Sequence, residues 1–419
     1  MRTRETPPCS AGEKLGRRRT WHQVLACLLC STALTTLHAA EPVFPDIDRD
    51  ERLVFPRDHG AHPTYRTEWW YVTGWLRTTG GEELGFQVTF FRSRLPLVDG
   101  NPSRFAPRQL LFAHAALADA KLGRLMHDQR IAREGFDIAA ASSNDADLTL
   151  DGWRFVRVAS KTDTPNEDPG ADTLHFKTRV TSARFALDLD LRATGPLLAQ
   201  GADARWPGYS QKGPQPGDAS RYYSVPQLAV TGAIVRNRGS KKERVEVAGT
   251  AWLDREWSSA YLDPQAVGWD WVGLNFDDGG ALMAFQMRDR SGDKLWAGGS
   301  RRFADGRVER YAPDDVRFAP LRSWTSPTSG TTWPVAQRVT ITPTPTGVRS
   351  PPVSPLVLRI EPLMDNQELD SRASTGTIYW EGAVRVFNEE STRDSPRGSV
   401  GRGYLELTGY WHPIRFGFQ

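Results

Sequence analysis

Apolar and polar positions alternate in short runs along most of the chain. Trp69 to Leu76, Leu84 to Phe91, Phe185 to Leu191 and Tyr404 to Tyr410 are such runs, each bounded by clusters of Gly, Pro and Asp. A period of two between turn residues predicts strands and hairpins. Ala and Leu dominate from Leu110 to Gly135, where a helix is expected. Stretches rich in Pro, Gly and Asp, at Thr162 to Asp172, Gly201 to Ser220 and Thr325 to Pro355, read as loops or insertions. The fold class that follows is all-β.

The pattern also repeats. Trp70-Tyr71-Val72, Gly80-Gly81 and Leu84-Gly85-Phe86-Gln87 are echoed by Trp269-Asp270-Trp271-Val272, Gly279-Gly280 and Leu282-Met283-Ala284-Phe285-Gln286, with the same sixteen-residue step from Trp to Phe. Each set predicts a hairpin whose glycine pair takes the turn. Glu246 to Trp252 similarly matches Glu406 to Trp411. An internal duplication is therefore expected, with domains at 41–258 and 259–419 and a junction near Ser258. Closed antiparallel barrels hide sheet edges, and one of about eight strands can hold a small apolar ligand. Two lipocalin-like barrels are the architecture this predicts.

Composition changes the picture at the N-terminus. Arg17-Arg18-Arg19, an apolar run from Val24 to Leu37, and Ala39-Ala40 follow the basic, apolar, small order of a signal peptide. Cleavage near Ala40 and a periplasmic or secreted product, with no later transmembrane segment, are the expectation. Cys9, Cys27 and Cys30 all fall in this segment, so the remainder has no disulfide and no thiolate chemistry. The first forty residues hold six Lys or Arg and two Asp or Glu, so their removal takes the formal net charge from +3 to −1. That leaves no electrostatic case for nucleic acid as a partner.

No Gly-x-Ser-x-Gly elbow, phosphate-binding glycine loop or His-Glu-x-x-His stands in the sequence. Two clusters remain. In the first, His59, His62 and Glu68 could ligate a metal, or they could plug a barrel mouth while Arg66 pairs with Glu68. In the second, strand alternation places Trp252, Asp254 and Glu256 on one face. A carboxyl group beside an indole in an apolar cavity is a candidate general acid near neutral pH. The alternative is an ion pair between Asp254 and an arginine of another strand.

Asp58-His59-Gly60-Ala61-His62-Pro63, Glu68 to Gly74, Trp252 to Ser259, Gly268 to Trp271 and Tyr379-Trp380-Glu381-Gly382 together resemble the AttH-like proteins, a group related to the bacterial carotenoid 1,2-hydratases (hydroxyneurosporene synthases). The resemblance implies two lipocalin-like domains. It also implies a cofactor-free hydratase in which Asp254 matches the proton donor. Trp252, Arg255 and Glu256 depart from the hydratase pattern, which carries a tyrosine where Trp252 stands.

Two functions follow. One is a carrier that binds an isoprenoid- or lipid-like molecule, with Trp70, Tyr71, Trp257, Trp269 and Trp271 lining the pocket. The other is a hydro-lyase in which Asp254 protonates an isolated C=C bond, Trp252 or Trp257 shields the cation, and Glu256 guides water. Neither needs a cofactor or a metal.

Overall fold

The alternating runs become antiparallel strands in a computed structural model that describes residues 44–95, 101–103, 105–161, 169–170, 173–238, 241–260, 262–344, 354–389 and 398–414. The signal-like segment lies outside the described residues.

The first sheet contains β1 (Thr67–Thr78), β2 (Glu83–Arg94), β3 (Gln109–Asp119), β4 (Arg124–Arg133), β5 (Ala139–Ala141), β6 (Asp147–Leu150), β7 (Trp153–Arg157), β8 (His175–Thr181), β9 (Phe185–Ala193), β10 (Leu198–Ala199), β11 (Tyr209–Gln211), β12 (Ala219–Arg238) and β13 (Lys241–Ala260). The second contains β14 (Gly268–Phe276), β15 (Ala281–Arg288), β16 (Lys294–Arg302), β17 (Val308–Tyr311), β18 (Val316–Thr325), β19 (Thr332–Ile341), β20 (Leu356–Pro362), β21 (Glu368–Asp370), β22 (Ile378–Asn388) and β23 (Gly401–Leu407). Strand order is 4-3-2-1-13-12-9-8-7-6-5 in the first and 17-16-15-14-23-22-20-19-18 in the second. The first sheet curls into a nearly closed barrel and the second into a half-barrel, giving tandem barrel-like domains. No helix among the described residues is long and apolar enough to cross a membrane.

The two repeated hairpins, β1–β2 and β14–β15, hold equivalent places in the two strand orders. Their turns close alike. Thr78 N–H reaches Glu82 O and Gly81 N–H reaches Thr78 O, while Phe276 N–H reaches Gly280 O and Gly279 N–H reaches Phe276 O. Gly81 and Gly279 carry the positive φ that such turns require, at 82° and 91°. The turns thus align Gly81 with Gly279, one place away from the match of Gly80-Gly81 with Gly279-Gly280. A slip of one residue reverses every side chain in a strand. Trp70 accordingly packs inside the first barrel, whereas Trp269 faces the other sheet. The match between strand ends slips as well: Trp252 lies opposite Thr73 and Glu406 opposite Trp271, so Glu406 takes the place of Trp252 and not of Glu246.

The expected helix between Leu110 and Gly135 is instead the β3–β4 hairpin. β3 is apolar on both faces because Leu111, Ala113, Ala115 and Leu117 enter the first barrel core, while Ala116 and Ala118 pack against Leu369 and Tyr379 of the second sheet. A run buried on both sides loses its alternation and cannot be told from a buried helix by period.

Each barrel-like domain has its own core, and a third cluster fills the space between them. There Tyr71, Trp75, Tyr222 and Trp252 of the first sheet meet Trp271, Met283, Phe285 and Tyr404 of the second. Trp75 donates its indole N–H to Gly403 O at 3.0 Å, and Asn275 donates to Ala251 O at 3.0 Å. Gln227 adds bonds to Asn275, Phe276 O and Gly280 O, and Glu83 pairs with Arg385 and Arg402, so polar ties flank the apolar contact.

Candidate functional site

Register assembles the site from two facing rows of side chains. In the first sheet Tyr71 of β1 stands beside Asp254 of β13, and Asp254 beside Ser224 of β12. One step along, Trp69 stands beside Glu256 and Glu256 beside Tyr222. In the second sheet Phe285 of β15 stands beside Trp271 of β14, Trp271 beside Glu406 of β23, and Glu406 beside Glu381 of β22. All these side chains leave the barrel cores and point between the sheets, because alternation sends their neighbours Val72, Leu253, Val272 and Leu405 inward. Tyr71 and Trp271 meet edge to face, with centroids 5.5 Å apart.

Between the rows lies a cavity of about 780 Å³. Aromatic side chains are prominent in its walls, with Trp69, Trp269, Trp271, Tyr222, Phe285 and Phe91 among them, and four carboxyl groups face it: Asp254, Glu256, Glu381 and Glu406. Ligand cavities commonly lie at such domain junctions, apolar with a few convergent polar groups. The cavity therefore lies between the domains. The first barrel's interior is filled by side chains such as Trp70, Phe86, Trp153 and Phe176.

Asp254 is the most structured of the four carboxyls. Oδ1 accepts hydrogen bonds from the indole of Trp252 at 2.6 Å and the hydroxyl of Ser224 at 2.5 Å, and Oδ2 accepts one from Tyr222 at 2.7 Å. Trp271 in turn donates to the Tyr222 oxygen at 3.1 Å. Burial pushes Asp254 up to about 7 against the pull of Ser224, Tyr222 and Trp252. Among the described residues no Arg, Lys or His pairs with it, so the arginine ion pair weighed as its alternative role is absent. Oδ1 already receives two protons in hydrogen bonds, which leaves Oδ2 as the oxygen to hold an added proton, directed at Tyr222 or at the cavity.

Glu256 is held differently. Ser220 donates to its Oε1, and Lys212 Nζ lies 3.1 Å from the same atom. The Lys212 ammonium also sits 4.3 Å from the ring centre of Phe285 and 4.6 Å from that of Tyr222, a cation between two aromatic faces. On the other wall Glu406 accepts the indole N–H of Trp269 at 3.0 Å. Burial raises both Glu406 and its neighbour Glu381, and proximity to Glu406 raises Glu381 further. Further along the cavity His114, bonded to Tyr379 and at 2.8 Å to Ser374, is pushed down to about 3 by burial.

The residues singled out from sequence separate into two places. Asp254, Glu256, Tyr71, Trp269 and Trp271 line the cavity, and Trp252 stands behind Asp254 with its ring against the second sheet. Trp70, Trp257, His59, His62 and Glu68 belong to the first barrel. There Glu68 is ion-paired with Arg92 and Arg255, with His62 at 3.3 Å, and Arg255 lies 3.9 Å above the Trp70 ring. His62 stacks on Trp257 at 3.9 Å, and His59 bonds to Tyr223 at 2.6 Å. Glu68's partners are thus Arg92 and Arg255, not Arg66. Among the described residues no group of three or more His, Cys, Asp and Glu is arranged to hold a metal ion.

Lys212, Tyr222, Ser224, Glu381, Glu406 and His114 are site residues that sequence reasoning did not assign. Glu381 stood within a quoted motif, and Lys212 within a stretch read as loop. The signal that could have found the glutamates is a charged residue at an otherwise apolar strand position.

An all-β protein of two lipocalin-like domains with an aromatic, carboxyl-bearing cavity between them is the class this geometry defines. The chain belongs to the AttH-like family, whose model matches residues 46–410. It is similar to the crystal structure of an AttH from Nitrosomonas europaea, at 45% identity and TM-score 0.73, covering 89% of this chain and 100% of that one. Kievitone hydratase from Nectria haematococca shares the fold at 14% identity and TM-score 0.58, covering 88% and 99%. CghA shares it at 13% identity and TM-score 0.51, covering 91% and 97%. No curated protein matches the chain.

Proposed function

We propose that the protein binds a hydrophobic small molecule of isoprenoid or lipid type between its two domains, in the cell envelope or outside the cell. The observation that carries this reading is the cavity of about 780 Å³ walled by Trp69, Trp269, Trp271, Tyr222 and Phe285. A space of that size suits a ligand of drug-like dimensions. The basic-apolar-small order of residues 17–40 supports export. Organic extraction of the exported protein followed by mass spectrometry tests both points. An apolar molecule at near-stoichiometric amount and a chain beginning near Glu41 are expected. Repeated extraction of nothing, with no uptake of added isoprenoids or fatty acids, would refute the binding reading.

A second reading, cofactor-free hydration of a C=C bond, is favoured by Asp254 alone. Held near 7 by burial, its carboxyl keeps a proton to give at neutral pH. The proton goes to one alkene carbon, and the opposite carbon becomes cationic beside the Trp271 and Trp269 faces. Water adds its oxygen there and its proton returns to Asp254, directly or by way of Glu256, which restores the acid. Trp252 acts here by orienting Asp254, and Trp257 faces the barrel interior. Kievitone hydratase shares the fold, which by itself carries no activity over. Asp254→Asn is expected to keep ligand binding and abolish turnover of an acyclic isoprenoid. Turnover at the wild-type rate would remove this reading.

A further inference from the structure

The wall facing Asp254 carries groups that neither reading uses. Glu381 and Glu406 stand directly opposite each other on β22 and β23, Glu381 buried and Glu406 half-buried, and both line the cavity. Trp269 occupies one Glu406 oxygen. Glu381 Oε2 and the Tyr71 hydroxyl have no hydrogen-bond partner among the described residues, although both side chains are more than nine-tenths buried and line the cavity. Tyr71 reaches this wall from the first sheet, its ring against Trp271, whose register neighbour is Glu406. Buried polar atoms are nearly always satisfied, so two orphan oxygens on cavity-lining side chains, each with almost no accessible surface, call for a partner that a small turn of each side chain would meet.

We propose that Tyr71 and Glu381, backed by Glu406, form a polar subsite that seats a hydrogen-bond-accepting oxygen of the ligand, of ketone type. The ligand is then an apolar molecule with an oxygenated end, not a plain hydrocarbon. The inference rests on the cavity being the ligand site. Two carboxyls side by side in a largely apolar wall oppose each other's ionisation, which favours keeping a proton on at least one of them. Burial and Glu406 together raise Glu381, so Glu381 holds it. A protonated carboxyl and a phenol both donate, and together they match an acceptor. A buried acid kept neutral beside a tyrosine is a known way to hold such an oxygen. A ligand ammonium would need these carboxyls charged, against the same burial.

Three probes with one isoprenoid skeleton separate the alternatives: geranylacetone, the primary amine made from it by reductive amination, and the hydrocarbon made from it by removing the oxygen. Binding is read by tryptophan fluorescence at pH 7 for the wild type, Tyr71→Phe, Glu381→Leu and Glu381→Gln, with melting curves to establish that each folds. The ketone should bind about tenfold more tightly than the hydrocarbon, the worth of one or two buried hydrogen bonds. That advantage should fall in Tyr71→Phe and Glu381→Leu and survive in Glu381→Gln, whose amide still donates. An amine bound better than the ketone, with the preference lost in Glu381→Gln, would overturn the subsite in favour of a cation site. Equal binding of all three would overturn it and leave the apolar cavity standing. No binding at all would overturn both. Infrared difference spectra give a test without ligand. Asp254 contributes a protonated-carboxyl stretch in both proteins, so the reading is the wild type minus Glu381→Gln difference at pH 7, which should contain such a stretch; a difference without one would sink the assignment.

Discussion

At the scale of residues, the chain holds two kinds of buried carboxyl with opposite dependence on pH. Burial pushes Glu68 up, but Arg92, Arg255 and His62 outweigh it and hold Glu68 well below the usual carboxylate range. Its folded pKa is depressed, so its contribution is present above the unfolded value and lost as pH falls through the folded one. Asp254 has the reverse sign, since burial dominates and raises it from 3.8 to about 7. Between those values the unfolded chain has released the Asp254 proton and the folded chain has not, so rising pH favours unfolding. Above about 7 both states are ionised and the cost is constant, at most about 4 kcal/mol. Asp254→Asn removes this term while its amide can still bond to Tyr222, Ser224 and Trp252. The melting temperature of the variant should therefore gain on the wild type from pH 4 to 7 and hold that gain above 7. A variant less stable by a constant amount at every pH would show that Asp254 is ionised and paired, contrary to its surroundings.

Among elements, strands were legible where alternation or flanking turn residues marked them, β1 and β2 included although both their faces are covered. β9 alternates between buried and more open positions, and Phe185 to Leu191 read correctly as strand. β3 is covered by the first core on one side and the second sheet on the other, and its composition suggested a helix. The repeat was visible because both hairpins share a turn chemistry, yet its register was not, because a Gly-Gly pair does not say which glycine takes the positive φ. The Asp254 strand was legible since Trp252, Asp254 and Glu256 share one face of β13. The opposing wall was hidden, because the pairing of Glu381 with Glu406 depends on strands that only the sheet order brings together. Close approach of the sheets has its own sequence mark in Gly85 of β2. A Cβ there would lie 2.5 Å from the Ala383 Cβ and 2.8 Å from the Tyr404 hydroxyl. Gly85→Val should thus cost about 1–3 kcal/mol through overpacking and weaken ligand binding by prising the cavity walls apart. Calorimetry and the fluorescence titration check the two effects. An unchanged melt would mean that the sheets are not in contact at this point.

For the whole molecule, the placement of the cavity ties function to the union of the domains. Neither sheet alone encloses the ligand space: Tyr71, Tyr222, Asp254 and Glu256 come from the first, and Trp271, Phe285, Glu381 and Glu406 from the second. Separation would expose Trp75, Trp252 and Tyr222 on one side and Trp271, Phe285 and Tyr404 on the other, all nearly fully buried when joined. Large aromatics dominate the free energy of such contacts. It would also strip Trp75 and Asn275 of their partners in the opposite sheet, and buried polar groups left unpaired are costly. The two domains are therefore expected to unfold together, in one thermal transition. Trp271→Ala removes the ring contact with Tyr71 and the hydrogen bond to Tyr222, and it should lower that single transition without splitting it. Added ligand should raise the transition of the wild type more than that of the variant, since binding only to the folded form stabilises it in proportion to affinity. Two resolved transitions in the wild type, of which ligand moves one, would mean that the domains fold independently and that one of them holds the ligand by itself.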